Sequence, residues 1–297
     1  MGVSVRHRLT VAMTAAAGAL LLAGCGATEN GPVIEAPPTA NLEVVGGASS
    51  LSELQSLLNS ELAQAGSTPS DGEGTQILAE VNDLTNDQSL LTAERIDALQ
   101  TLGHSLVVKY ETTLSGLSSD VGGSGLTSAQ QRSVQAMIAN AQQQLESLDT
   151  TIAGATLVDQ LRSEVLSIEP STRVDGLITP AVHTALAAGA LETAAETLTT
   201  RLNNLSGRVS QSNTNAGAEQ GLQQSAASEI QRMYATANQA VATLTELTPA
   251  GYPGNAATLT AVKTNLSNSQ NGAEAAVNQD LTALSTCLSD DQSNTAC

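Results

Sequence analysis

Between Val134 and Ile168 the apolar residues fall every three or four positions, and that interval constrains the chain more than any other feature. Val134, Ile138, Ala141, Leu145, Leu148, Ile152 and Ala155 alternate by four and three, and the pattern continues less strictly through Leu161, Val165 and Ile168. A mean spacing near 3.5 keeps one seam of an α-helix turned toward a partner helix. The stretch therefore predicts a long helix over 128–168, about 60 Å at 1.5 Å per residue, with Gly154 and Asp159 as points where it can bend. Spacing alone leaves open whether such a helix folds within one bundle or bridges two.

The same period governs most of the chain. Ser50-x-x-Glu53 reads as a capping box ahead of Leu51, Leu54, Leu58 and Leu62. A Gly-rich break, SDGEG, separates this helix from one carrying Ile77, Leu78, Val81 and Leu84, and Thr92 is placed to cap a third with Ile96, Leu99, Leu106, Tyr110, Leu114 and Leu117. The loop SSDVGGSG closes that helix. Glu169-Pro170 reads as a stop, and Thr179-Pro180 as a capped start with proline at the first helical position. Three seams follow: Leu191 to Val209, Leu222 to Leu247, and Leu259 to Leu288. Short loops make such helices antiparallel neighbours. With no alternating apolar strands, the expected class is all-α: an elongated antiparallel, coiled-coil-like helical bundle. Its parts are an N-terminal helical region over 49–168, a C-terminal three-helix bundle over 169–290 and a tail over 291–297.

The core of this bundle must be aliphatic, because the chain has no Trp, no Phe and three Tyr. Aromatic side chains dominate many ligand pockets, so their scarcity weighs against a site for sugars or aromatic ligands. The formal charge of −18 repels nucleic acid, whose binding depends on Lys and Arg neutralising phosphates.

The first 25 residues have a different character. Arg6, His7 and Arg8 precede an apolar run from Leu9 to Ala23, the layout of an export signal. The run is shorter than the roughly 20 residues a spanning helix needs. Its end, Leu22-Ala23-Gly24-Cys25, resembles the lipobox of bacterial lipoproteins, whose signal is cut before a cysteine that carries diacylglycerol. The resemblance implies a signal peptide over 1–24, a lipidated Cys25 and a protein held at the extracytoplasmic face of the bacterial cell membrane. Loss of Arg6 and Arg8 with the signal leaves a formal charge of −20. Residues 25–48, rich in Gly, Pro and Thr, read as a flexible tether. Two further cysteines, Cys287 and Cys297, have nine residues between them, and in an oxidising compartment such a pair is expected to close as a disulfide.

The body carries a second resemblance. Arg173-Val174, Pro180 and, later, Tyr252-Pro253 are similar to the pattern of a group of exported bacterial helical proteins. Asp175 stands where that pattern has an aromatic residue, and Ala181 where it has a basic one. The resemblance implies a helical fold and no activity. Arg173, Asp175 and His183 form the candidate polar site, at the mouth of the bundle on its longest irregular connector. Their structural counterpart is simpler: Arg173 pairs with Glu169 or Asp175, and His183 lines the first helical turn.

Other chemistry is sparse. Outside the signal the histidines are His104 and His183, and no Glu-x-x-His, H-E-x-x-H or C-x-x-C spacing occurs, so no metal site and no cofactor is indicated. Gly122-Gly123-Ser124-Gly125 lacks the strand and lysine of a phosphate loop and reads as linker. Asp71-Gly72-Glu73-Gly74 lacks the ligand spacing of a calcium loop. Asp159 and Asp280 fall on or beside seams and read as solvated rim residues. The expected function is therefore that of a structural or protein-interaction lipoprotein, without catalysis, that meets an envelope protein or the cell wall. A helical carrier for an apolar ligand such as lipid is the alternative.

Overall fold

Alanine and leucine recurring at helical intervals leave each helix with an apolar stripe that only another helix can cover. The computed structural model describes residues 51–66, 71–209 and 216–290, and among them every regular element is a helix. The expected all-α bundle is the observed class. The signal segment, the 25–48 tether, Ser50 of the capping box and the 291–297 tail lie outside the described residues.

In chain order the helices are α1 (Leu51–Gly66), α2 (Asp71–Asn86), α3 (Thr92–Gly122), α4 (Ser128–Gly154) and α5 (Val158–Thr172). A π-helical turn at Val174–Ile178 leads into α6 (Thr179–Val209), followed by α7 (Ala216–Thr245). The remainder is a 3₁₀ turn at Pro249–Gly251, α8 (Gly254–Asn268), a second π-helical turn at Ser269–Glu274, and α9 (Ala275–Asp290). Helices α3, α4 and α5 pack together, and α2 covers α3 and α5. Helices α6, α7, α8 and α9 make a second group, onto which α1 packs along α6. One continuous aliphatic core runs through both groups, from Leu54 to Leu284.

The long helix expected over 128–168 is broken. Helix α4 ends at Gly154, Ala155 is extended (φ −76°, ψ 135°), and α5 starts at Val158. A distant side chain makes the break: Gln100 on α3 donates its amide to the carbonyls of Ile152, Ala153 and Ala155 at 3.4, 3.2 and 3.1 Å. These carbonyls lie at the end of the helix, where the i+4 donors run out; that of Ile152 also accepts the Ala155 N–H at 3.2 Å. Ile152, Ala155, Leu161, Val165 and Ile168 are all buried as the seam requires, but on two helices that pack against each other.

Other boundaries differ for equally local reasons. Helix α2 already begins at Asp71, so the expected SDGEG break lies largely within its first turn. Helix α3 continues through Ser118 to Gly122. Thr92 is its first residue rather than its cap; Glu94 Oε2 accepts the Leu91 N–H at 2.8 Å instead. Pro170 sits inside the last turn of α5, where its missing N–H removes one hydrogen bond without ending the helix. At the start of α4, Thr127 and Gln130 form a reciprocal capping box (2.7 and 3.3 Å).

Two corrections concern the C-terminal group. It takes in a helix from outside the expected 169–290 range, because α1 seats on α6 and not with the N-terminal helices. Gln55 donates to Glu274 Oε1 at 2.8 Å, and Gln270 donates to the Gln55 carbonyl at 3.3 Å. Lys263 reaches the Ala65 carbonyl. The last seam is also not a uniform helix, since the π-helical turn at 269–274 rotates Ser269, Gln270 and Glu274 into the interior.

The helical run over 158–208 is long and apolar enough to cross a membrane, yet 78% of its most apolar window is buried against other helices. Helix α6 is apolar around most of its circumference because it is covered on most sides.

Candidate functional site

Arg173 is the joint between α5 and α6. It takes the left-handed conformation (φ 50°, ψ 38°), and among the described residues it is the only non-glycine with positive φ. For a residue with a Cβ this conformation is unfavourable by roughly 1–2 kcal/mol, so its surroundings must hold it. Its N–H donates to the Glu169 carbonyl at 2.7 Å, and its own carbonyl accepts from Leu177 and Ile178, both at 2.9 Å. The guanidinium lies over the Tyr252 ring, 4.2 Å from its centre, a stacked cation–π contact. The Tyr252–Pro253 peptide is cis, and Asn255 closes the same connector by donating to the Thr248 carbonyl at 2.6 Å.

Glu169 completes the corner. Its Oε1 accepts the Gly176 N–H at 3.2 Å, so a side chain from the end of α5 caps the helical turn that follows Arg173. Burial pushes its carboxyl up to about 7, and the charge of Asp175 adds to the shift. The Gly176 and Asp175 amides and Arg173 act in the opposite direction. Glu169 Oε2 and Arg173 Nε are buried without partners among the described residues. The Arg-Val and Tyr-Pro elements singled out in the sequence thus meet in space.

His183 does not join them. Its Nδ1 lies 2.8 Å from Glu61 Oε2 of α1, within the seam between α1 and α6. The expected trio therefore splits: Arg173 and Asp175 belong to the corner, and His183 belongs to the α1 contact. The region 169–179 is also no irregular connector but almost continuous helix with a single left-handed residue. His104 pairs with Asp149 at 2.9 Å on the surface. Asp159 is exposed in the first turn of α5, where a carboxylate faces the positive end of the helix dipole. Asp280 lies half-buried on α9. Cys287 is on α9 and disulfide-bonded; Cys25 and Cys297 lie outside the described residues.

Sequence reasoning missed a second polar locus, inside the bundle. Glu192 on α6 is 2% exposed, and neither carboxyl oxygen has a hydrogen-bond partner among the described residues. Burial pushes it up to about 7; nearby Gln130 favours the charged form, and Glu196 one turn on opposes it. The Gln130 amide is committed to Asn238 Oδ1 at 3.1 Å. Tyr234, on α7, is 4% exposed with its hydroxyl unpartnered, and burial raises it to about 12, with Glu196 and Glu192 adding to the shift despite nearby Thr199. A signal was present in the sequence. From Ala181 to Leu198 the chain is apolar on nearly every helical face, so any acid within that run is buried.

Among the described residues no three His, Cys, Asp or Glu side chains come together as metal ligands. The fold and these two loci define an all-α helical bundle with a strained, stacked corner and a buried carboxyl. No protein-family model matches the chain, and neither a curated protein nor a solved structure is found to match it.

Proposed function

We propose that this chain is a lipid-anchored protein of the bacterial cell envelope, structural or protein-binding in role and without catalysis. The observation that carries the reading is Leu22-Ala23-Gly24-Cys25 closing an apolar run behind Arg6 and Arg8. One myristoyl-length chain holds a protein only marginally, at about 0.8 kcal/mol per buried CH₂; two acyl chains on Cys25 hold it firmly. The helical body supports this role by being closely filled: Leu99, Leu114, Leu145, Leu191 and Leu284 are fully buried in one core. The acidic balance turns the body away from nucleic acid and from anionic lipid headgroups, leaving an envelope protein or the cell wall as its partner.

The carrier reading has weaker support. The open groove of about 920 Å³ between α7 and α8 has walls that include Ala235, Thr236, Thr243, Thr258 and Asn265. Hydroxyls and amides there interrupt the apolar lining an acyl chain needs.

Mass spectrometry of protein from native membranes tests the anchor: the mature N-terminus is expected to be a diacylated Cys25, and Cys25→Ser is expected to move the protein to the soluble fraction. An unmodified N-terminus elsewhere overturns the reading. In-cell crosslinking is expected to return one recurrent envelope partner, and a solitary chain under all conditions counts against the interaction role.

A further inference from the structure

We propose, on the protein-binding role given above, that the groove between α7 and α8 holds an extended, uncharged segment of small residues from a partner envelope protein. The groove encloses about 920 Å³ and runs along α7 from Glu229 to Thr243, about 21 Å at 1.5 Å per residue. An extended chain of about six residues covers that length at roughly 3.3 Å each. The walls are low. Ala235, Ala240, Ala261 and Ala273 line the groove, and Gly272 beside them has nothing within 4 Å of its Cβ position. With so little side chain in the way, a second backbone can come close to the helices.

The polar groups in the groove match a peptide. Gln239 on α7 and Asn265 and Asn268 on α8 bring side-chain amides, each with donor and acceptor atoms like those of a peptide group. Gln239 donates to Thr243 Oγ1 at 3.1 Å, which holds that amide in place. Ser269, the first residue of the π-helical turn, also lines the groove. It is 9% exposed, and its hydroxyl is buried with no partner among the described residues. A buried hydroxyl without a partner is costly, and a peptide carbonyl laid in the groove supplies the missing acceptor. Irregular π-helical turns recur at functional sites for this kind of reason.

Charge narrows the class further. Among the described residues lining the groove, the charged ones are Glu229 and Arg232, closed on each other at 3.0 Å at one end. The rest of the lining is neutral, in a chain whose formal charge is −18. An acidic segment is therefore repelled by the body, and a basic one meets only a carboxylate that is already paired. The described lining holds no aromatic ring to stack on a sugar, and its hydroxyls and amides oppose an acyl chain. A neutral peptide with small side chains suits both the amides and the low walls.

Calorimetric titration of the full chain with capped hexapeptides of Ala, Gly, Ser and Thr tests the site, with the same peptides carrying Lys or Glu as controls. The uncharged peptides are expected to bind at least tenfold more tightly than the charged ones. Ala261→Phe, on an exposed part of the wall, is expected to fill the groove and abolish binding. Ser269→Ala is expected to weaken binding about tenfold while the free chain melts no lower, because the hydroxyl has no partner there to lose. No binding of any uncharged peptide overturns the proposal, as do Ala261→Phe and Ser269→Ala chains that bind like the wild type. Self-association of the chain that Ala261→Phe abolishes also overturns it, by giving the groove to a second copy. Photocrosslinkers placed in cells at Ala235 in the groove and at exposed Val108 on α3 separate the site from the role. A partner caught from Val108 and not from Ala235 overturns the groove and leaves the protein-binding role standing; none caught from either overturns both.

Discussion

His183 and Glu61 sit 122 positions apart in sequence and 2.8 Å apart in space. Their side chains are 12% and 13% exposed, so the contact belongs to the buried seam between α1 and α6. Removing either partner strands the other, at about 1–3 kcal/mol. His183→Ala is expected to accelerate hydrogen exchange in α1 while leaving α3 unchanged. In a double-mutant cycle, His183→Ala with Glu61→Ala is expected to lose less stability than the two single losses added together.

Glu169 gives stability a definite pH dependence. Its folded value of about 7 lies above the ordinary 4.5, so the folded chain holds the proton more tightly than the unfolded chain. Its contribution is full below about pH 4.5, falls as pH rises toward 7, and stays low above that. The corner is partly open to solvent, so the loss is on the order of 1–2 kcal/mol. Glu169→Gln is expected to melt like the wild type at pH 5 and a few degrees higher at pH 8, as read by circular dichroism. A mutant equally displaced at both pH values would assign Glu169 a purely geometric role.

Two glycines are expected to respond in opposite directions to alanine. Gly125→Ala drives a methyl into the α6 backbone and should destabilise by about 1–3 kcal/mol. Gly116, inside α3, has nothing within 4 Å of its Cβ position. Its replacement by alanine should stabilise by about 0.5–1 kcal/mol. Denaturant midpoints of the two variants on either side of the wild type would bear this out.

The seams were legible because burial repeats with the helix. Leu191, Ala195, Leu198 and Leu202 are buried, as are Leu244 and Leu266, where the spacing puts them. Partnership was not legible, because an apolar stripe says that a helix is covered without saying by what. Nothing in Leu54 or Leu58 distinguishes α6 from α3 as their neighbour. The break after Gly154 comes from Gln100, 52 to 55 positions earlier in the sequence, and a local pattern has no access to it. At Arg173 the motif was visible but its conformation was not: arginine rarely adopts positive φ, and only the fit against Tyr252 and Glu169 reveals what holds it there. Glu192 sits in an alanine-rich run that marks its surroundings as dry, but the sequence does not say which groups face it there.

The placement of α1 has a consequence for timing. Helix α1 is complete at Gly66, but α6 begins only at Thr179, so α1 leaves the ribosome, and any export channel, long before its berth exists. Four helices, α2 to α5, intervene and can assemble on one another meanwhile. The earliest of the described helices is thus among the last to find its place, and until then its leucines need shelter from neighbouring chains.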